Sequence, residues 1–378
     1  MLSEKNLNSA SFREQLISWL DAVSRPVGIR DYGATPTEHD IIAAKEWQAI
    51  LWRDGWAGLS WPLNFGGRNL PPVEQGIFAE EVAKRDLPRQ LNIVSHDLVG
   101  PVLIEYGSED QKSFHLTPIL CGESIWCQLF SEPNAGSDLA NIMTTASRVD
   151  DGWILNGQKV WTSGAHYSDY GLLLARTGES ADSYRGLTCF VLPMHREGVT
   201  VRPLKQMDGE TKFNEVFFDD VKLLDSDILG EVGKGWKVAM STLGRERMSL
   251  AAQSTIIFDK ISALSQIVSQ DETSIGKFMS LSLVDIWART YMLRLTWLRS
   301  FASQENAWLS QIVKLTASEI QKSLGNVGSA IEGSTSMLLS DDSFMSKHVL
   351  YAVGTSIAGG TSEIQKNIIA ERILGMPK

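Results

Sequence analysis

The 378-residue chain holds only three cysteines, Cys121, Cys127 and Cys189. So few, and so scattered, they exclude a disulfide framework and a cysteine-based zinc site. Its six histidines (39, 96, 115, 166, 195 and 348) fall in no metal-ligand spacing, so no metal is expected. No apolar run reaches the roughly 18–20 residues a membrane-spanning helix needs, and the opening MLSEKNLNSASFREQL lacks the apolar stretch of a signal peptide. Positive charge is short: 35 Lys and Arg against 45 Asp and Glu give a net charge of −10. A nucleic-acid surface would be basic instead. No Walker loop and no G-x-S-x-G elbow occur, and GWAGL and GGRNL match no phosphate-binding fingerprint. What remains is an acidic globular protein, 43% hydrophobic and 21% charged, expected in the cytoplasm and too long for one core.

The texture changes twice along the chain. Up to about residue 120 the period is helical: Ile17, Leu20 and Val23 follow one track, and Ile42, Ala43, Trp47, Ile50 and Leu51 another. WAGLSWPLNFGGRNLPP interrupts this as an ordered loop, and helical texture returns over 72–84 and 101–106. From Thr144 to Leu224 short runs rich in β-branched and aromatic residues alternate with turn signals, among them the hairpin dipeptide Asn156-Gly157. This predicts an antiparallel β domain, barrel or sandwich. After Gly235 helices are expected over 236–268, 275–302, 306–332 and 362–374, the last capped by Thr361 or Ser362. The expected fold is therefore α+β and multidomain: an N-terminal helical domain (1–122), a middle β domain (123–229) and a C-terminal helical bundle (230–378). The lack of β-α alternation argues against a doubly wound nucleotide fold.

Two segments carry more than structure. In WCQLFSEPNAGSDLA (126–140) a strand ends in Ser131-Glu132-Pro133, and the turn after it offers small residues and backbone N–H groups to a planar ligand. In IAGGTSEIQKNIIAERILG (357–375) Gly359-Gly360 precede a helix N-terminus, which favours anions. Plain readings stand beside both, a strand with a decorated turn and a Gly turn before an amphipathic helix whose Ile364, Ile368, Ile369 and Ile373 face a core.

These segments, with LNGQKVWTSGAHYSDYGLLLART, WPLNFGG and FNEVFFDDVKL, resemble the acyl-CoA dehydrogenase family over nearly the whole chain. The resemblance implies FAD, an acyl-CoA thioester substrate, formation of an α,β-double bond, assembly into dimers or tetramers, and electron-transfer flavoprotein or a similar acceptor. Position by position it makes Phe130 and Ser131 flavin contacts, Trp161 the aromatic near the ring, and Ser163 a hydrogen-bonding partner. Ser137 touches the CoA arm, and Thr361 and Glu363 reach the FAD pyrophosphate and ribose, Glu363 standing where many relatives have glutamine. Gly359 and Gly360 admit the acyl chain, and Arg247 is counted with the substrate residues.

Three departures stand out. Many members carry a catalytic glutamate where this chain has Gly359. The Arg-x-x-Phe-Gly string that helps hold the neighbouring subunit's FAD is absent, and the Gln-x-x-Gly-Gly string for the adenine half is replaced by LGNVGSAIEGST. A substitute base is Glu246, which shares a helix stripe with Ala239, Leu243, Leu250 and Gln253; an unpaired carboxylate there costs several kcal/mol. An ion pair with Arg245 or Arg247 is the plain alternative. Relatives lacking the loop glutamate, among them enzymes of branched, long or bulky acyl-CoAs and of sterol side chains, carry their base at this helix position. The reading is an FAD-dependent acyl-CoA dehydrogenase. Its rivals are a non-catalytic or half-site subunit of a heteromeric dehydrogenase and a flavin monooxygenase on the same fold.

Overall fold

A computed structural model describes residues 2–178, 184–249, 254–270, 273–300, 308–339, 343 and 345–377, with the side chains of 2–9, 246–249, 254–256 and 274–275 outside the description. The chain divides into two compact units, Met1–Gln206 with Glu210–Arg245, and Met207–Gly209 with Glu246–Lys378.

The first unit opens with helices α1 (Leu2–Ala22), α2 (Ile41–Arg53), α3 (Pro72–Ala83), α4 (Gly100–Tyr106) and α5 (Glu109–Cys121). On α1 the buried face is Phe12, Leu16 and Leu20, an i, i+4, i+8 track; of the residues expected on it Leu20 is fully buried and Val23 packs against the core, while Ile17 is only half-buried. Helix α5 is closed at its start by a capping box, the Ser108 hydroxyl accepting from the Gln111 N–H and the Gln111 side chain accepting from the Ser108 N–H.

The sheet comes next: β1 (Trp126–Leu129), β2 (Thr145–Val149), β3 (Gly152–Ser163), β4 (Tyr170–Arg176), β5 (Leu187–Pro193), β6 (Val199–Leu204), β7 (Phe213–Leu223) and β8 (Ile228–Leu229). Its order is β6-β7-β3-β2-β4-β5-β8, with β1 also on β4. The helical–β–helical architecture is as expected, but the sheet is mixed, since β1 and β2 both run parallel to β4. Strands β4 and β5 are buried on both faces, so they read as unbroken apolar runs. Leu172, Leu174, Leu187, Cys189 and Val191 pack with the N-terminal helices, while Leu173, Ala175, Phe190 and Leu192 join Trp153, Leu155, Val216 and Val221 on the other face.

The dipeptide Asn156-Gly157 is not a hairpin turn. It lies within β3 at a register shift against β7, where Asn156 Nδ2 donates to Asp220 Oδ1 at 2.9 Å and the Asp220 N–H donates back to Asn156 Oδ1 at 2.9 Å. Gly157 is required there because a Cβ would meet Thr144 Cα at 2.7 Å. The β2–β3 turn instead falls at Asp150-Asp151.

Helix α6 (Gly235–Ser249) comes after the sheet. The second unit contains α7 (Ser254–Val268), α8 (Ser274–Ser300), α9 (Leu309–Glu332), α10 (Ser346–Thr355) and α11 (Ser362–Ile368), the last running on as a π-helical turn. Its core joins Ile257, Ile261 and Leu264 to Leu283, Ile286 and Leu293 and to Val313, Ile320 and Leu324. The four isoleucines at 364, 368, 369 and 373 are half-buried rather than core. No helix of the described residues is long and apolar enough to cross a membrane.

Candidate active site

In the first unit the candidate flavin residues gather where β1 ends beside β3. Phe130 is buried and Ser131 half-buried. Glu132 turns the chain tightly, exchanging backbone hydrogen bonds with Ala135 at 3.1 Å each. The Val160 N–H donates to the Ser131 carbonyl at 2.9 Å, sewing this turn to β3. Ser137 sits exposed on the next loop.

Strand β3 changes phase here. Trp153, Leu155 and Lys159 face inward; Lys159 and Val160 are then both buried, Trp161 is exposed and Thr162 is buried. One extra residue between Lys159 and Thr162 makes a β-bulge against β7 and re-aims the rest of the strand. Trp161 takes the left-handed conformation, φ +60°, which costs an aromatic residue of order 1–3 kcal/mol. The bulge thereby sets a 60%-exposed indole on the surface, edge-on to Phe213 at 6.0 Å. Beyond it Ser163 is half-buried and paired with Phe213. The Thr162 carbonyl accepts from Asn214 Nδ2 at 2.9 Å, and Asn214 Oδ1 in turn meets His166 Nδ1 at 3.0 Å.

Behind this edge lies a buried ion pair that sequence reasoning missed. Lys159 Nζ, fully buried, donates to Glu132 Oε1 at 2.8 Å and to the Phe130 carbonyl at 2.9 Å. Glu132 also accepts from the Met143 N–H at 2.5 Å and the Thr144 N–H at 3.0 Å. Burial acts against both charges. On Glu132 it is outweighed by Lys159 and the backbone N–H groups, which hold the carboxyl below its usual range; on Lys159 burial prevails and lowers the ammonium to about 8. The available signal was that Lys159 is the only charged residue of β3, two residues from a tryptophan.

In the second unit, Gly359 and Gly360 have φ +66° and +95°. Gln365 Nε2 donates to the Gly359 carbonyl at 3.2 Å, and a Cβ on Gly360 would meet that amide at 2.5 Å. The N-cap of α11 is Thr361, whose hydroxyl accepts from the Ile364 N–H at 3.2 Å. Glu363 is exposed on the first turn, its carboxyl held below the usual range by its own backbone N–H. The loop before it is anchored by the Ser356 carbonyl, which accepts from the Ser362 N–H at 3.0 Å and from Lys314 Nζ at 3.3 Å. Gln365 is a further residue the sequence did not announce.

Glu246 and Arg247 belong to α6, but their side chains lie outside the described residues. The preceding turns do present the expected apolar stripe: Ala239 is fully buried and Leu243 packs on the core. Arg245 is turned toward Glu105 at 3.4 Å. Among the described residues no His, Cys, Asp and Glu cluster suits a metal ion.

Family models for the N-terminal, middle and C-terminal domains of acyl-CoA dehydrogenase match residues 12–123, 127–221 and 233–374. The chain belongs to the acyl-CoA dehydrogenase family. It is 34% identical to acyl-CoA dehydrogenase IpdE1 of Mycolicibacterium smegmatis over 97% of each chain. Against human mitochondrial short-chain specific acyl-CoA dehydrogenase it is 28% identical, over 83% of this chain and 78% of that one. Among solved structures it resembles the Tcur3481-Tcur3483 steroid ACAD, with a TM-score of 0.86, 25% identity and 98% of each chain covered. The ChsE4-ChsE5 complex from Mycobacterium tuberculosis is similar too, with a TM-score of 0.83, 26% identity and 98% coverage of both. Acyl-CoA dehydrogenases are FAD-dependent oxidoreductases. The first unit suits that cofactor: a surface indole fixed by strained backbone, beside half-buried serine hydroxyls, offers a flat ring both a stacking face and hydrogen-bonding groups.

Proposed function

We propose that this chain is a catalytic acyl-CoA dehydrogenase whose α-proton base is Glu246 and whose substrate carries a bulky or branched acyl group of the steroid-degradation kind. The observation that carries the reading is the geometry of Gly359. Its φ of +66° is one that residues with side chains rarely adopt, so the loop that holds the base in many relatives is built here without one. Glu246 is then the carboxylate at the remaining family position, on a stripe whose described members are apolar. A thioester α-proton is weakly acidic, so its base needs a desolvated site that raises its pKa toward neutrality. Backbone N–H groups beside Gly359 would stabilise the developing enolate, and the absence of side chains at Gly359 and Gly360 leaves room for the acyl chain.

In the same reading Phe130, Ser131, Trp161 and Ser163 hold the flavin ring, Thr361 and Glu363 its pyrophosphate and ribose, and Ser137 the CoA arm, with Arg247 among the substrate-binding residues. Bound FAD supplies the hydride acceptor, with electrons passing on to electron-transfer flavoprotein or a similar acceptor. The domain limits 1–122, 123–229 and 230–378 are part of the proposal. The bulky-substrate assignment is supported by the likeness to a structure named as a steroid ACAD. That structure and the ChsE4-ChsE5 complex each carry a two-component name, which favours a related partner chain supplying the adenosine contacts whose strings are missing here.

The test is Glu246→Gln, which keeps size and removes the proton acceptor. The variant is expected to fold and to bind flavin and acyl-CoA while anaerobic flavin reduction slows by roughly 10²–10⁴-fold. Reduction at the wild-type rate, with a lowered melting temperature, would instead mark Glu246 as a structural partner of Arg247 and sink the assignment. A panel of acyl-CoA thioesters with an artificial electron acceptor tests the substrate class.

A further inference from the structure

We infer that Lys159 and Glu132 form a positioning clamp for the flavin edge, fixing the Ser131 turn and the Trp161 bulge in register with one another. The inference rests on the flavin reading only for what the edge is used for.

The two sides of the edge come from different parts of the sheet, and few bonds join them. One is the Val160 N–H to the Ser131 carbonyl at 2.9 Å. The others converge on the Lys159 ammonium, which grips the Phe130 carbonyl and the Glu132 carboxylate on either side of Ser131. Glu132 is pinned in turn by the N–H groups of Met143 and Thr144. The ammonium therefore brackets the proposed flavin-contacting serine from a position two residues before the tryptophan. It also sits at the start of the β-bulge, whose left-handed Trp161 would relax to extended backbone if nothing held the strand. A buried ion pair is a costly way to stabilise a core, since well-packed apolar residues often do as well or better. Its value here is directional: hydrogen bonds of fixed geometry specify where two chain segments meet, which apolar packing does not.

Hydrogen exchange of the flavin-free protein tests this directly. Glu132→Gln keeps the shape and removes the charge, and Lys159→Met with Glu132→Leu replaces the pair by apolar groups. For both, exchange at the Val160 amide is expected to accelerate at least ten-fold relative to the Leu173 amide in β4. Flavin retention should weaken at least ten-fold, even where the double variant recovers the wild-type melting temperature. If Val160 protection and flavin retention return together with the melting temperature, the pair is only a stabilising element and the clamp is refuted. Unchanged Val160 exchange in Glu132→Gln refutes it as well, and does not depend on the double variant folding. Wild-type protein that never binds flavin would overturn the functional reading while leaving the exchange result to decide the clamp.

Discussion

At the scale of single residues, the proposed flavin edge and backbone strain coincide. Trp161 is held out by a bulge its own side chain disfavours, and Ser131 is the half-buried hydroxyl beside it. Ser131→Ala should remove one hydrogen bond to the ring, worth about 1–2 kcal/mol, and shift the flavin's absorbance or potential; an unchanged visible spectrum and unchanged reduction would place the contact elsewhere. Buried histidines set a second prediction. Burial lowers His96, His115 and His348 to about 4, against about 6.5 when unfolded. The unfolded chain then binds more protons between those values, so stability is full above pH 6.5 and is lost as pH falls toward 4. Melting curves across that range should show the loss. His115→Phe, which keeps an aromatic edge-on to Trp126 and Tyr170, should make it shallower by one histidine's share, His96 and His348 still contributing. An equal slope in the variant would exclude His115 as a contributor. The serine, the tryptophan and the glycine pair are legible as candidates because they sit in recognisable strings. The clamp was not, because pairing Lys159 with Glu132 depends on a three-dimensional approach 27 residues apart in sequence.

At the scale of elements, legibility tracks periodicity, and the misses come from local chemistry that points the wrong way. Strong runs such as β4, β5 and α9 are legible, since burial on one or both faces writes itself into hydrophobic order. Asn156-Gly157 reads as a turn because that dipeptide favours hairpins; its true reason is the close approach of Thr144, a contact no local signal carries. Helix α5 is not among the expected helices although its start is written as Ser-x-x-Gln, a capping box. Ser108→Ala should therefore cost about 1 kcal/mol, measurable as a lower denaturation midpoint at constant slope. Helix α10 is not among them either. It is ten residues long, and only Ser346, His348 and Ala352 are buried on it, too sparse a stripe to announce a helix.

At the scale of the whole molecule, the question is what α8 is for. Leu283, Ile286 and Leu293 face the core of the second unit, as an amphipathic helix requires. Yet Phe278, Leu281, Val284, Trp287, Tyr291, Met292 and Leu295 are all exposed, and they recur every three or four residues along the same helix. Trp287 and Tyr291 stack on one another at 5.6 Å, giving the stripe an aromatic centre of the kind that anchors interfaces. A contiguous apolar face of this length is rare on a monomer. The missing adenosine strings point the same way, since in this family such contacts cross between subunits. The protein is therefore expected to purify at a mass well above its 41.8 kDa chain, assembled either with itself or with a related second chain. Leu281→Glu with Leu295→Glu should dissociate it, because charges buried in an apolar interface are not readily solvated. If adenosine contacts come from across that interface, the dissociated chain should also release its flavin. Light scattering and the visible spectrum on the same sample separate the possibilities. A wild-type mass equal to the single chain, with flavin still bound, would mean that one chain completes the cofactor site alone and that the α8 face serves another purpose.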